Sequence, residues 1–186
     1  VFAFLQKYGL EKEFKLNIEQ NHAILAKHSF EHEIAYALSN NILGSIDINR
    51  GDYLVGWDTD QFPNNVEELV LPFYYIFKSG GFSSGGLNMD AKIRRQSIDP
   101  EDLFYAHIGS MDTCARTLIA VEKMINDGSY ESFLKQRYES WNDNSELMNK
   151  LSLEDIHNKV IKENINPDPK SGRQEYLENL INSFVD

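Results

Sequence analysis

Three short segments of the chain alternate apolar and polar residues, which is the period of a β-strand with two different faces. The segments are FKLNIE (residues 14–19), GSIDIN (residues 44–49) and GLNMDA (residues 86–91). The polar face of each segment carries an acid near its carboxyl end, namely Glu19, Asp47 and Asp90. The pattern therefore predicts three strands that end in acids.

Apolar residues at helical spacing lie between and after these strands, and each stripe follows a residue suited to a helix N-cap. A short amphipathic helix closed by Gly9 precedes the first strand. Pro72 should kink the second of the longer helices or mark its true beginning. The predicted longer helices run from Ser29 to the pair Asn40 and Asn41, from Asn65 to the pair Gly80 and Gly81, and from Asp99 to about Asn126.

The alternation of strands and helices predicts an α/β fold with a parallel sheet, because parallel strands need crossovers of about a dozen residues or more, usually helical. The carboxyl ends of parallel strands share one rim of the sheet. Glu19, Asp47 and Asp90 should therefore converge at that rim, where α/β barrels and open α/β sheets bind their ligands.

The chain changes character after Gly128. Three short helical stretches have recognisable starts at Ser129, Ser152 and Ser171, and Gln174 is placed for a capping box with the last of these. Their apolar stripes are modest and they have no obvious core of their own. We therefore predict an α/β part over residues 1–128 and a helical tail over residues 129–186 that packs on a neighbouring subunit.

The charge and apolar content of the chain indicate which classes of partner it can bind. The chain has 186 residues with 29 acidic against 18 basic side chains, a formal net charge of -11, which argues against a nucleic-acid surface. No stretch approaches the roughly 18 continuous apolar residues of a membrane span. The single cysteine cannot form an internal disulfide, and the opening residues do not resemble a signal peptide. We therefore expect a cytoplasmic protein without a membrane partner.

Acids gathered at one rim repel each other, and a cation relieves that repulsion. His22, three positions beyond Glu19, adds an imidazole. Several carboxylate oxygens with one imidazole suit Mg²⁺, Mn²⁺ or Co²⁺ better than a structural zinc. In the alternative interpretation, His22 and each acid are helix caps or surface charges.

Other motifs indicate competing chemistries. Asp58-Thr59-Asp60 resembles the DxD nucleophile of haloacid-dehalogenase-type phosphatases, although Phe62 departs from that pattern. The stretch HSFEH (residues 28–32) matches the inverted zinc-peptidase motif H-x-x-E-H. That motif needs both histidines on one helical face, whereas Ser29 as the cap would leave His28 outside the helix. The glycine-rich GGFSSGG (residues 80–86) lacks phosphate-loop spacing and is interpreted as a turn.

A set of motifs in order resembles the C-terminal half of xylose isomerase, of the longer bacterial and fungal type. The resemblance implies the C-terminal portion of a (β/α)₈ TIM barrel, three βα units in this chain, followed by a helical extension. It also implies a homotetramer and two divalent cations in each active site. The motifs are KLNIEQNH, SIDINRGD, GWDTDQFPN, GGLNMDAKIRRQS and DLFYAHIGSMD.

The same resemblance implies a role for each acid. Glu19 bridges both ions, Asp47 and Asp90 bind the first ion, and through that ion Glu19 and Asp90 hold the sugar hydroxyls. The remaining implied ligands, which bind the second ion, are His22, Asp58 and Asp60. The second ion would act as a Lewis acid and lower the pKa of a bound water, with Asp60 as the candidate proton relay. A hydride shift between C2 and C1 would convert D-xylose to D-xylulose, or D-glucose to D-fructose.

The chain departs from that family in carrying three of eight strands, and a closed barrel typically needs about 250 residues. Its first and last strands should therefore be open edges that another chain segment must cover. We expect a segment of the enzyme that is inactive without the N-terminal part of the barrel. The alternative hypothesis is a non-catalytic module that binds divalent cations and docks on a partner.

Overall fold

The computed structural model describes residues 1–143 and 149–185. These residues form two compact units, one over residues 1–123 and one over residues 124–184. The first unit combines a small parallel sheet with helices, so the predicted α/β class is confirmed for it. Within the described ranges, none of the helices has the length and apolar character needed to cross a membrane.

In the first unit strands and helices alternate, and the chain enters this pattern through the predicted short helix. Gly9 ends that helix with a left-handed φ of 67°, and its N–H group bonds to Gln6 O and Leu5 O. The elements in order are α1 (Phe2–Tyr8), β1 (Leu16–Glu19), α2 (Gln20–Leu25), α3 (Phe30–Ser39), β2 (Leu43–Asp47), α4 (Glu67–Lys78), β3 (Leu87–Asn88) and α5 (Glu101–Asp127).

The three strands are parallel and lie in the order β1-β2-β3. In this register Glu19 pairs with Asp47, and Asp47 pairs with Asn88. The acids that end the first two strands are therefore level with each other, and Asp90 follows two residues after the last strand. This arrangement confirms the predicted parallel sheet with its acidic rim.

Strand β3 is shorter than the six residues predicted for it. The chain leaves the sheet after Asn88, and Lys92 N then donates to Asp60 O in place of a strand partner. Before the strand, Gly85 passes so close to Gly44 that a Cβ at Gly85 would lie 1.9 Å from Gly44 O. The segment still hydrogen-bonds to β2 through Gly86 O, which accepts from Ile46 N, and Asn88 O, which accepts from Ile48 N, but the strand itself spans two residues.

Helices α3 and α4 pack against each other beside the sheet. The predicted cap of α3 is confirmed, since Ser29 Oγ accepts a hydrogen bond from His32 N at 3.1 Å. Asn65 Oδ1 accepts from Glu67 N at 3.0 Å, although the N-cap position of α4 is Val66. The buried core includes Ile34, Ala37, Ile42, Ile46, Ile48, Leu69, Val70, Phe73 and Ile76.

Pro72 lies inside α4, so the interpretation that it marks the beginning of the helix is wrong. A proline cannot donate the helical N–H bond. Here Leu69, Val70 and Phe73 on either side of it are buried, and burial of such side chains contributes about 1.5–3 kcal/mol each. This burial outweighs the lost hydrogen bond.

The described part of the second unit is helical. Its helices are α6 (Ser129–Asp143), α7 (Leu153–Lys162) and α8 (Gln174–Asn182), so the starts predicted at Ser129 and Ser152 are confirmed. Helices α6 and α8 contact each other, with the rings of Phe133 and Tyr176 5.2 Å apart. The predicted boundary at residue 128 and the role of the tail in subunit packing stay predictions.

The capping box predicted for Ser171 and Gln174 is wrong. Helix α8 begins at Gln174, and the residue before it, Arg173, has a left-handed φ of 49°. The guanidinium of Arg173 lies 4.1 Å from the ring centroid of Tyr176, and Arg137 donates to Gly172 O. These contacts hold residues 172–173 outside the helix, so Ser171 is too far from its first turn to cap it.

Candidate metal centre

Glu19 lies at the junction of β1 and α2, because the helix begins directly after the strand. It occupies the N-cap position with extended backbone angles (φ -103°, ψ 129°), yet its side chain makes no cap hydrogen bond. Its Oε1 accepts from Asn49 Nδ2 at 2.8 Å, and its Oε2 lies 3.2 Å from His22 Nδ1. The carboxylate therefore points toward the rim of the sheet, and the alternative in which it caps the helix does not hold.

Glu19, Asp47 and Asp90 form a first ligand group. One carboxylate oxygen from each lies within 4.8 Å of the others. Asp47 is positioned by amides on both neighbouring strands, with Asn17 Nδ2 donating at 2.6 Å and Asn88 Nδ2 at 3.1 Å. The convergence predicted from the strand ends is thus present in the structure.

Glu19, His22 and Asp58 form a second ligand group under the same distance limit. His22 stands between two carboxylates, with its Nε2 3.2 Å from Asp58 Oδ2. Asn21 Nδ2 also donates to Asp58 Oδ1. The loop GWDTDQF is thereby tied to the end of β1, and Glu19 is the member that the two groups share.

Asp60 lies outside both groups, although it was predicted as a ligand with them. Lys92 Nζ donates to its Oδ2 at 2.6 Å, and Asn21 Nδ2 approaches its Oδ1 at 3.4 Å. Burial raises the pKa of the Asp60 carboxyl, but the contacts with Lys92, Asp58 and Asn21 outweigh it and hold the pKa below its usual value. Asp60 is therefore a carboxylate at neutral pH, and the ammonium group of Lys92 lies beside it.

Two buried asparagines connect the ligands, and the sequence analysis did not predict them. Asn21 N donates to Asn49 Oδ1 at 2.9 Å, while Asn49 Nδ2 donates to Glu19 Oε1 and, at 2.9 Å, to Asp90 O. Both asparagines follow their strand's acid by two residues, in Glu19-x-Asn21 and Asp47-x-Asn49. That repeated spacing is the signal that could have identified them.

Gly51 makes room for Asn21. A Cβ at Gly51 would lie 1.8 Å from Asn21 Oδ1 and 2.9 Å from Asn21 Cγ. The oxygen of that amide is buried, and within residues 1–143 and 149–185 it has no hydrogen-bond partner. The position of Asn21, and with it the contact to Asp58, therefore depends on a residue without a side chain.

The electrostatics of the rim favour a cation. Burial raises the pKa of the Glu19 carboxyl, the hydrogen bond from Asn49 and the imidazole of His22 lower it, and the charges of Asp58 and Asp60 raise it. The result lies above the usual value of 4.5. A divalent ion would remove the repulsion between these carboxylates. Hard oxygens with one imidazole fit Mg²⁺, Mn²⁺ or Co²⁺, so the residues present fit two such ions that share Glu19.

The HSFEH motif has a different geometry from an inverted zinc-peptidase site. His28 precedes the first residue of α3, as predicted. The Glu31 carboxylate accepts a hydrogen bond from Tyr75 at 3.4 Å, and the carboxylate that contacts the imidazoles of His28 and His32 is that of Glu33. The glutamate that should act on a zinc-bound water is thus engaged elsewhere.

Comparison with known proteins gives matches over the whole chain. A family model described as "XylA2 C-terminal domain" matches residues 134–185. The chain is 60% identical over 188 residues to "Xylose isomerase" of Ruegeria sp. (strain TM1040) and 60% identical over 186 residues to that of Cereibacter sphaeroides (strain ATCC 17029 / ATH 2.4.9). It is 57% identical over 187 residues to "Xylose isomerase" of Brucella canis (strain ATCC 23365 / NCTC 10854 / RM-666).

Each of these matches covers 100% of this chain and 43% of the relative. The chain therefore spans less than half the length of the curated relatives that it matches, and it corresponds to their C-terminal part.

Proposed function

Because the chain is homologous over its whole length to the C-terminal part of curated xylose isomerases, we propose that it supplies one side of the active site of a metal-dependent aldose-ketose isomerase. The reaction is the conversion of D-xylose to D-xylulose, and of D-glucose to D-fructose, by a hydride shift between C2 and C1. The chain is one segment of a (β/α)₈ barrel and is inactive without the remaining strands.

The ligand groups have separate tasks in this proposal. Glu19 would be shared by two divalent cations, with Asp47 and Asp90 completing the first site and His22 and Asp58 completing the second. Glu19 and Asp90 would also orient the substrate, through the ion that they would hold. When bound, Mg²⁺, Mn²⁺ or Co²⁺ supplies Lewis acidity toward the oxygens of the opened sugar.

Asp60 is the proposed proton relay. It is a carboxylate at neutral pH, as an aspartate ordinarily is, and can therefore accept a proton from the sugar side and return it. The contacts with Lys92, Asp58 and Asn21 that lower its pKa favour the return of that proton. Lys92 Nζ, at 2.6 Å from Oδ2, holds the carboxylate in place. Asp60 lies outside the group of Glu19, His22 and Asp58, and in this proposal it would join the second cation site as a further ligand through Oδ1, the oxygen that faces Asn21 and Asn49.

The open edges of the sheet support the proposal that further strands of a longer protein pair with this chain. In the described residues β1 and β3 each pair with β2 alone. Unpaired strand edges promote aggregation unless another segment covers them. The N-terminal part of the barrel is the proposed cover, and the homotetramer and the cytoplasmic location predicted from the sequence stay part of this proposal.

One observation carries the proposal: Glu19 belongs to both ligand groups, at the level of the paired ends of β1 and β2. A carboxylate shared by two groups of hard ligands is the arrangement that a two-ion site requires. A module that binds a single cation would need only one of the groups.

Complementation tests this function. The chain is co-expressed with the part of the Ruegeria relative that precedes the matched region, and conversion of D-xylose is assayed with Mg²⁺ or Co²⁺. We expect turnover in the mixture and none from either part alone. Glu19→Gln should reduce turnover by more than the roughly 10–100-fold that loss of an outer partner costs.

Glu13→Gln is the matched control, since Glu13 is an exposed glutamate outside both ligand groups. It should leave turnover unchanged. An assembled mixture without turnover would favour the non-catalytic cation-binding module, and full turnover with Glu19→Gln would refute the bridging role.

A further inference from the structure

A separate cluster of metal-binding side chains lies at the corner between α2 and α3, and it shares no residue with the two ligand groups of the rim. Its members are His28, His32 and Glu33, each offering one ligand atom within 4.8 Å of the others. We propose that this corner binds one Zn²⁺ or a similar borderline divalent ion through two imidazoles and one carboxylate.

The three side chains already converge on one point. The Nδ1 atoms of His28 and His32 both contact Glu33 Oε1, the second at 3.3 Å. The two ring centroids are 4.7 Å apart with an angle of 59° between the planes, so the rings do not stack face to face. A cation between the two nitrogens and the oxygen would replace these contacts without a change of backbone.

The backbone of His28 is fixed on both sides. Lys27 has a left-handed φ of 64°, its N–H group bonds to Ile24 O, and His28 N bonds to Ala23 O, both at 2.9 Å. These two bonds form a Schellman motif that ends α2. Ser29 then caps α3. Because the backbone of His28 is already held between two helix caps, little conformational entropy is lost when its side chain binds an ion.

The positions of the pair are unusual for a helix start. His28 precedes the N-cap and Glu33 is the fourth residue of α3, and these two positions commonly hold an apolar staple. Here they hold an imidazole and a carboxylate. The side chains are 48% and 58% exposed for the two histidines and 30% for Glu33, so an ion can reach them from solvent.

The ligand set distinguishes this site from the rim. Two imidazoles with one carboxylate suit Zn²⁺, which takes three protein ligands and keeps an open position for water. Mg²⁺ prefers oxygen ligands in an octahedron and does not compete well for imidazole. The corner should therefore select Zn²⁺ while the carboxylate-rich rim holds Mg²⁺. Because Glu31 is engaged by Tyr75, we do not assign hydrolysis to the site.

A calorimetric Zn²⁺ titration of the full chain in excess Mg²⁺ tests the proposal. We expect a tight equivalent of Zn²⁺ that depends on the corner, so that His28→Ala and His32→Ala should each weaken this equivalent by at least about 10-fold. His157→Ala is the matched control, because His157 is an exposed histidine on α7. Circular dichroism of each variant should be unchanged, since the replaced side chains are half exposed.

Glu33→Gln provides a second variant that keeps the shape of the side chain. It should weaken Zn²⁺ binding while both histidines remain. The proposal fails if the wild-type chain binds no Zn²⁺ in excess Mg²⁺. It also fails if His28→Ala and His32→Ala bind it as the wild type does, or if His157→Ala loses it equally.

Discussion

At the scale of single residues, the carboxylate of Glu19 is held by the buried amide of Asn49. The same amide accepts from Asn21 N and donates to Asp90 O, so it contacts three segments of the rim. Outer partners of this kind orient ligands and are commonly worth about 10–100-fold in metal affinity.

We therefore expect Asn49→Ala to weaken divalent-cation binding by about 10–100-fold. The variant leaves Asn21 N without its acceptor and frees the Glu19 carboxylate, so both ligand groups are affected. Isothermal titration with Mn²⁺ measures the change. Asn158→Ala, at an exposed position of α7, should bind Mn²⁺ as the wild type does; an unchanged affinity for Asn49→Ala would show that the amide does not orient the ligands.

Gly51 gives a second test at this scale. Alanine there would place its Cβ 1.8 Å from Asn21 Oδ1, displacing the amide that contacts Asp58. We expect the free energy of unfolding to fall by about 1–3 kcal/mol. Cation binding by the second ligand group should weaken by about 10-fold or more.

Gly109→Ala is the matched control, because nothing lies within 4 Å of a Cβ at that position of α5. It should increase the free energy of unfolding by up to about 1 kcal/mol through helix propensity. Denaturant unfolding measures the free energy of unfolding of both variants, and Mn²⁺ titration measures their cation affinity. Equal behaviour of the two glycines would contradict the steric role of Gly51.

The sequence predicted the acidic residues of the site better than the residues that hydrogen-bond to them. Strand alternation places Glu19 and Asp47 at one rim because that pattern is local. Asn21, Asn49 and Lys92 act through hydrogen bonds to residues that are distant along the chain, as in the bond from Lys92 to Asp60. Strand periodicity does not record such a pairing. The repeated spacing of Asn21 and Asn49 after Glu19 and Asp47 marks the two asparagines in the sequence, whereas the contact of Lys92 with Asp60 could be found only from the structure.

At the scale of secondary-structure elements, α7 has the most complete N-terminal cap of the tail. Ser152 N and Oγ donate to Asp155 Oδ2 at 2.9 and 2.6 Å, and Asp155 N donates back to Ser152 Oγ at 3.1 Å. The hydrogen bonds from Ser152 lower the pKa of Asp155 below its usual value of 3.8.

The lowered pKa of Asp155 determines how the stability of α7 depends on pH. The contribution of Asp155 to helix stability is present above its unfolded pKa and is lost as the pH falls through its folded pKa. We expect Ser152→Ala to raise the pKa of Asp155 toward 3.8 and to reduce the acid sensitivity of the first turn of α7, because only the backbone N–H of residue 152 still donates to Asp155. A carboxyl-carbon NMR titration measures both, with Ser171→Ala as the control; a pKa unchanged by Ser152→Ala would refute the capping box.

The sequence predicted the ends of a helix correctly where a capping residue close in sequence determines that end. Ser29, Ser152 and the glycine at position 9 mark helix ends in both the sequence and the structure. The start of α8 differs because Arg173 is held outside the helix by its contacts with Phe133 and Tyr176. Packing between elements overrode a serine and a glutamine at capping-box spacing.

At the scale of the whole molecule, the sheet formed by the described residues has three strands, and Glu19 and Asp47 lie at the carboxyl ends of two of them. The α/β class and the parallel order followed from the sequence, because the alternation of strands and helices permits few other topologies. The remaining strands of the proposed barrel could not be derived from this chain. Its relatives are more than twice as long, and the matched part is 43% of their length.

A Mn²⁺ titration followed by electron paramagnetic resonance tests whether two divalent cations share Glu19, as we propose. We expect two bound Mn²⁺ ions per chain, close enough to broaden each other's signal. Asp47→Asn should weaken only the first ion, and Glu19→Gln should weaken both. A wild-type chain that binds one ion or none, or a Glu19→Gln variant that keeps two coupled ions, would contradict this proposal.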